Sequence, residues 1–139
     1  MFWRLFFVVA LLVPSVSNAE YNPRKLAQSL GGYLRMTANI EYLGSSQCSY
    51  LFSTKSSVDQ SLRDALLHFE KKHRKEIKSA IDSSELLYRA KKDMDGALNA
   101  FKADGLDIKS SCGMLLGSIS PAFSTITANY ENAVSAYSK

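Results

Sequence analysis

The two cysteines are the residues whose chemistry is easiest to define from the sequence. Cys48 and Cys112 are the only cysteines in 139 residues, so they can form one disulfide or provide a reactive thiol. A metal site needs further ligands at suitable spacing and a catalytic thiol needs a base, and none accompanies either cysteine. The role of the pair therefore depends on the compartment, because an oxidising environment favours a disulfide.

The first 19 residues have the pattern of a secretory signal peptide. The positive charge of Arg4 precedes an apolar run over residues 5–13, which is far shorter than the roughly 20 residues that span a bilayer. Small residues over 17–19 then mark a cleavage site. The sequence predicts a signal peptide over 1–19 and one exported domain over 20–139, periplasmic or secreted. No later apolar run approaches membrane length, so we expect no membrane-spanning segment.

Export makes a structural disulfide the expected role of Cys48 and Cys112. The bond would close a loop of 64 positions, for which chain entropy gives up to about 4 kcal/mol of stabilisation. That is comparable to the whole stability of a small domain, about 5–15 kcal/mol. We therefore expect the pair to act as a fold staple.

Apolar residues recur at three- and four-residue spacings, which predicts helices, and no segment has the sustained alternation of a strand. The first helix begins at the cap and proline of 22–23 and ends at Gly44. Gly31 and Gly32 interrupt it, which suggests a close helix crossing, a kink, or simple tolerance of two glycines.

The central periodic segment runs from a capping box at Ser57 to Gly105. One straight helix of that length would protrude from a compact domain, so we expect a break at Asp82, although the preserved phase also fits a single helix. A short helix over 109–119 and a last helix starting at Pro121 complete the prediction. The expected fold is all-α, a small bundle of four to five helices stapled by one disulfide.

The densest positive charge predicts a solvated helix face, for which the functional interpretation is contact with an anionic partner. Its members are Lys71, Lys72, Arg74, Lys75 and Lys78. An acidic protein surface, a lipid phosphate or a glycan carboxylate would suit this face. Export and the absence of interleaved aromatic residues disfavour nucleic acid.

Other candidate sites fail on spacing. His68 and His73 are five residues apart, which places them on different sides of a helix, His68 with the basic face and His73 with the apolar one. Residues 93–96 resemble the start of a calcium loop, but Leu98 and Asp104 then occupy its glycine and glutamate positions. No nucleophile elbow or phosphate loop occurs. The sequence predicts no catalytic residue, no cofactor and no metal.

Tyrosine is the remaining feature, with seven copies in the chain. Tyr42, Tyr50 and Tyr88 fit the apolar stripes poorly, and exposed tyrosines are good interface anchors. We therefore predict a protein interface near these three residues and near the disulfide. The oligomeric state is left open.

In outline the chain resembles the small exported helical immunity proteins with one disulfide that bacteria use against cell-wall-degrading type VI effectors. The signal peptide, the number of helices and the cysteine pair carry this resemblance, over residues 20–139, and no residue motif does. It implies an exported non-enzymatic binding protein of the bacterial envelope, an inhibitor or immunity protein. The alternatives are an envelope accessory or stress protein that binds anionic lipid or glycan through its basic face, and a hydrolase without a recognisable motif.

Overall fold

The computed structural model describes residues 20–52 and 55–139, so the signal peptide predicted over 1–19 lies outside the described residues. The described chain forms five helices and no strand. The helices are α1 (Pro23–Gly44), α2 (Val58–Leu66), α3 (Lys71–Ala80), α4 (Ser83–Ala103) and α5 (Ile108–Tyr137). The predicted all-α fold of four to five helices is confirmed.

Helix α1 begins and ends where the sequence predicts. The side chain of Asn22 accepts a hydrogen bond from the backbone N–H of Lys25 (3.1 Å), and Pro23 occupies the first turn, where its missing N–H costs nothing. The helix then runs without interruption to Gly44. It packs against α2, α4 and α5, which makes it the central element of the bundle.

The two glycines within α1 do not mark a close helix crossing. A Cβ atom placed on Gly31 would meet no other atom within 4 Å, and one on Gly32 would lie 4.0 Å from Cγ2 of Ile126. Both positions therefore have room for a side chain. The sequence left three interpretations open, and simple tolerance of a glycine is the one that fits Gly32. Gly31 has open space where its Cβ would be.

The predicted break at Asp82 is confirmed, and its cause is a helix cap. Oδ1 of Asp82 accepts hydrogen bonds from the backbone N–H groups of Ser84 (2.9 Å) and Glu85 (3.3 Å), which starts α4. A second break over 67–70 separates α2 from α3, and the sequence did not predict it. Phe69 in this turn is fully buried, so the apolar phase continues although the helix does not.

The predicted division between a short helix over 109–119 and a last helix starting at Pro121 is wrong. Helix α5 is continuous, and Pro121 lies inside it on the exposed side. The apolar stripe explains the continuity, because Ile119 before the proline and Tyr130 after it are both buried. Packing over the whole length outweighs the cost of proline inside a helix, which is about 3 kcal/mol for the lost hydrogen bond and the clash of the ring with the preceding turn.

Buried side chains form two core clusters, which α1 and α5 connect. The first core cluster consists of Leu26, Leu30, Leu34, Ala38, Val58, Leu62, Ala65, Phe69, Ala90, Tyr130 and Ala133. The second core cluster consists of Ile40, Leu43, Cys48, Phe52, Leu98, Cys112, Leu115 and Ile119. Helices α1 and α5 run antiparallel, since the backbone N–H of Asn22 at the start of α1 donates to the carbonyl of Tyr137 at the end of α5 (3.0 Å).

The disulfide predicted between Cys48 and Cys112 is present, with the two Cα atoms 5.4 Å apart and both residues fully buried. Cys48 lies in the turns that follow α1, and Cys112 lies near the start of α5. The bond therefore ties the loop after α1 to a long helix, whereas the sequence predicted a short separate one.

Candidate binding surface

Helix α3 carries the five cationic residues that the sequence singled out. Lys71, Lys72, Lys75 and Lys78 are exposed, and Arg74 is half-buried. No residue of α3 is buried, which distinguishes it from the four other helices. The helix therefore presents charge to solvent without contributing a buried side chain to either core cluster.

Helix α3 is attached to the domain at its start through Tyr21, and the half-buried Ile77 packs against the first core cluster. The Tyr21 hydroxyl accepts a hydrogen bond from the backbone N–H of Glu70 (3.0 Å) and lies 2.7 Å from Nδ1 of His73. The two rings also stack, with centroids 5.6 Å apart. Nε of Arg74 donates to the carbonyl of Phe69 (3.0 Å), which adds a contact at the same end.

The two histidines have different surroundings. His73 lies on the inner side of α3, as predicted, where Tyr21 is its partner. His68 is not on the basic helix face that the sequence predicted, because α2 ends before it. It lies in the turn between α2 and α3, and its carbonyl accepts a hydrogen bond from the backbone N–H of Lys139 (3.2 Å). Tyr21 and Lys139, which lie near opposite ends of the described chain, thus both form hydrogen bonds with this turn.

Several charges of α3 oppose its own stability, whereas Glu70 at the N-cap and Lys78 in the last turn favour it. Lys71 and Lys75 are four residues apart, as are Arg74 and Lys78, and like charges at this spacing destabilise a helix by about 0.2–0.5 kcal/mol per pair. The first turn contains no acidic residue, so lysines lie where the helix dipole favours negative charge. One ion pair partly compensates, because Nζ of Lys72 is 3.2 Å from Glu70. A bound anion would relieve both penalties.

A groove of about 250 Å³ lies beside the end of α3, between α1 and the start of α4. Its lining residues are Gly31, Leu34, Arg35, Ala80, Ile81, Asp82, Glu85, Leu86 and Arg89. Leu34, Ile81 and Leu86 form its apolar part, and two arginines and two carboxylates also line it. No pattern in the sequence predicts this groove, because its lining residues come from distant segments of the chain. The sequence shows one part of it, since Glu85 and Arg89 are four residues apart, the spacing of an ion pair on one helix face.

The three tyrosines of the predicted interface differ in exposure. Tyr50 is 59% exposed and Tyr88 is 68% exposed, so both are available to a partner. Tyr42 is half-buried, packs against both core clusters, and donates its hydroxyl hydrogen to Asp95. The apolar stripe pattern did not predict that Tyr42 packs inside the domain while the other two tyrosines are exposed. The interface itself stays a prediction.

Three side chains have shifted pKa values, and each has a local cause. The hydrogen bond to Asp95, aided by burial and by the aspartate charge, raises the pKa of Tyr42 to about 12. Burial, with a further contribution from Tyr33, raises the pKa of Tyr130 to about 12. The backbone N–H of Ser110 donates to Asp107 and holds the pKa of that carboxyl below its usual value. All three groups serve the fold.

Metal-ligand clusters and membrane-spanning helices are both absent from the described residues. Within 20–52 and 55–139, no three His, Cys, Asp or Glu side chains are grouped so that they could hold a metal ion. Over the same residues, no helix is both long and apolar enough to cross a bilayer. The residues of the rejected calcium loop, 93–96, lie within α4. Comparison with known proteins finds no family model, no curated protein and no solved structure that matches the chain.

Proposed function

We propose that the chain is an exported, non-enzymatic binding protein of the bacterial envelope that engages an acidic surface of another protein through helix α3. The form of this function that we favour is an inhibitor or immunity protein against a cell-wall-directed effector. That specific form comes from the outline resemblance stated above. The binding surface rests on the exposure and charge of the α3 residues.

One observation carries the proposal: α3 presents exposed cationic residues at a cost in helix stability and contributes no buried side chain to the core. A helix that served only the fold would gain from acidic residues in its first turn and from opposite charges at the four-residue spacing, where α3 instead pairs Lys71 with Lys75 and Arg74 with Lys78. Residues that oppose local stability are typical of functional positions. The charges of α3 are therefore better explained by a partner than by the domain.

A protein partner fits this surface better than a lipid or glycan. Acidic residues lie among the lysines, because Glu76 is exposed on α3 and Glu70 pairs with Lys72. Mixed charge suits a patterned protein surface, whereas a uniformly anionic membrane would be repelled by these carboxylates. The exposed Tyr88 on α4 adds an aromatic anchor of the kind that protein interfaces favour. Anionic lipid or glycan binding through the same helix is the second candidate.

The test is a pull-down from periplasmic extract with the exported protein, at low and high salt. The first variant neutralises α3 with Lys71→Gln, Lys75→Gln and Lys78→Gln. The matched control neutralises three exposed lysines on other helices, namely Lys91→Gln, Lys102→Gln and Lys109→Gln. We expect a stoichiometric protein partner that the first variant loses and the control keeps.

Two other outcomes would contradict this proposal. Equal retention by both variants would show that α3 is not the binding surface. Salt-labile binding to phosphatidylglycerol vesicles, lost only in the α3 variant and without a protein partner, would favour the second candidate. The proposed export has its own check, since the intact mass of the released protein should correspond to a chain that starts at Glu20.

A further inference from the structure

The groove between α1 and the start of α4 contains one cation that the domain does not use. Arg35 is exposed, and no hydrogen bond or ion pair joins its guanidinium to any residue within 20–52 and 55–139. The other charges there are occupied. Nη2 of Arg89 is 2.6 Å from Oε1 of Glu85, and Asp82 accepts the two backbone N–H groups that start α4. The groove therefore offers a single uncommitted guanidinium.

The size and floor of the groove suit a side chain of a peptide. Its volume, about 250 Å³, is below the roughly 300–1,000 Å³ of typical small-molecule sites. Leu34 is fully buried beneath it, and Ile81 and Leu86 are half-buried. Gly31 leaves the α1 side open, because nothing lies within 4 Å of where its Cβ would be.

We propose that this groove receives a segment of the protein partner in which an apolar side chain lies next to an acidic one. The apolar side chain would cover the exposed parts of Ile81 and Leu86, and the carboxylate would pair with the fork of the Arg35 guanidinium. This inference rests on the proposed function and deepens it. Charge complementarity favours this occupant. Helix α3 ends at Ala80, which lines the groove together with Arg35. An acidic partner surface bound to α3 would therefore also reach Arg35.

The experiment titrates a capped hexapeptide of alternating phenylalanine and glutamate into the exported protein labelled with ¹⁵N. We expect the largest changes in amide chemical shift at Gly31, Ile81 and Leu86, and none around Cys48. A hexapeptide with glutamine in place of glutamate should bind about tenfold more weakly, because it loses the charge-assisted hydrogen bonds to Arg35. A hexapeptide with alanine in place of phenylalanine should lose a similar factor.

Two pairs of variants localise the binding. Arg35→Gln should weaken the glutamate peptide about tenfold, and Arg24→Gln, about three turns earlier on α1, should leave its affinity unchanged. Gly31→Leu should fill the groove and abolish binding. Gly96→Leu on α4, another helical glycine with open space around it, should not. Both leucine variants should keep the wild-type far-ultraviolet circular dichroism.

The inference is overturned if Arg24→Gln weakens the peptide as much as Arg35→Gln does, or if the shifts are confined to α3. It is also overturned if Gly31→Leu abolishes a concentration-dependent self-association, since a second copy would then be the occupant. Its failure is distinguishable from failure of the proposed function. If the α3 variant loses the protein partner while Arg35→Gln and Gly31→Leu retain it with full affinity, only the groove inference fails.

Discussion

The two core clusters are closed in different ways. The first core cluster contains most of the largest fully buried side chains, including Phe69 and three leucines of α1, and helices cover it on several sides. Non-covalent contacts from Tyr21 and Lys139 hold the turn over it. The second core cluster is covered partly by the irregular segment that contains Cys48, and a disulfide holds that segment. A covalent bond is used where helix packing alone does not close the core.

The largest expected effect concerns the second core cluster. Removing the bond with Cys48→Ala and Cys112→Ala should lower the free energy of unfolding by up to about 4 kcal/mol, because the unfolded chain regains the entropy of a long loop. The melting temperature should fall by more than about 10 °C. Calorimetry of the exported protein measures this, and hydrogen exchange should show the greatest loss of protection in residues near Cys48.

The matching control is wild-type protein treated with a thiol reductant, which should melt at the temperature of the double variant. Two free thiols in the native exported protein, or an unchanged melting temperature in the variant, would show that the pair does not staple the fold. Hydrogen exchange that accelerates equally in both core clusters would remove the contrast between them.

The first core cluster should depend on packing instead. Leu30→Ala should cost about 3 kcal/mol, through lost burial and the cavity left at a fully buried position of α1. Leu67→Ala is the matched control, because Leu67 is 62% exposed and its loss should change stability by less than about 0.5 kcal/mol. Urea unfolding measures both values. A similar, small effect of the two substitutions would show that α1 does not support the first core cluster.

Tyr42 lies between the two clusters and should make stability depend on alkaline pH. Its pKa of about 12 in the folded state exceeds the ordinary value of 10.0. The stabilisation is therefore fully present below pH 10 and is lost as pH rises from about 10 towards 12. Tyr42→Phe should cost about 1 kcal/mol at neutral pH, through the lost hydrogen bond to Asp95.

Urea midpoints at neutral and alkaline pH test the role of Tyr42. The pH dependence should be weaker in Tyr42→Phe than in wild type. Tyr130→Phe is the comparison, since burial is the main cause that raises its pKa to about 12, and no hydrogen bond to a carboxylate contributes. If Tyr42→Phe retains the full wild-type pH dependence, the hydrogen bond to Asp95 does not contribute to stability.

Local signals in the sequence predicted most of the fold. The caps at Asn22 and Asp82 define helix starts because each depends only on neighbouring residues. The cysteine pair followed from the predicted compartment. The prediction that a helix starts at Pro121 was wrong, because proline begins α1 at Pro23 but lies within α5 at Pro121. Only the packing along α5 distinguishes the two cases.

The sites were harder to predict because they depend on contacts between distant residues. The basic residues of α3 were evident from composition, but its lack of buried residues was not. The break before Glu70 depends on Tyr21, which is 49 residues away, so no local pattern contains it. The groove unites Arg35 with Arg89 across two helices, and neither residue is unusual in its own segment.

The smallest expected effect concerns the charge at two helix starts, that of α3 beside the first core cluster and that of α5 beside the second. Lys71→Glu in α3 should stabilise the protein by about 0.5 kcal/mol, because it replaces repulsion of Lys75 with attraction and places an acid at the helix start. Lys109→Glu at the start of α5 is the control. It has no lysine four residues later and lies beside Asp107, so it should bring little or no gain.

Urea unfolding at low salt measures these two values, and the gain from Lys71→Glu should shrink in about 1 M salt, where the Debye length is near 3 Å. The same variant should lose affinity for the partner, since the added charge repels an acidic surface. A gain in stability with a loss in binding would mean that α3 retains its lysines for the partner. If Lys71→Glu instead destabilises the protein, the lysines serve the fold, and no partner is needed to explain the charge of α3.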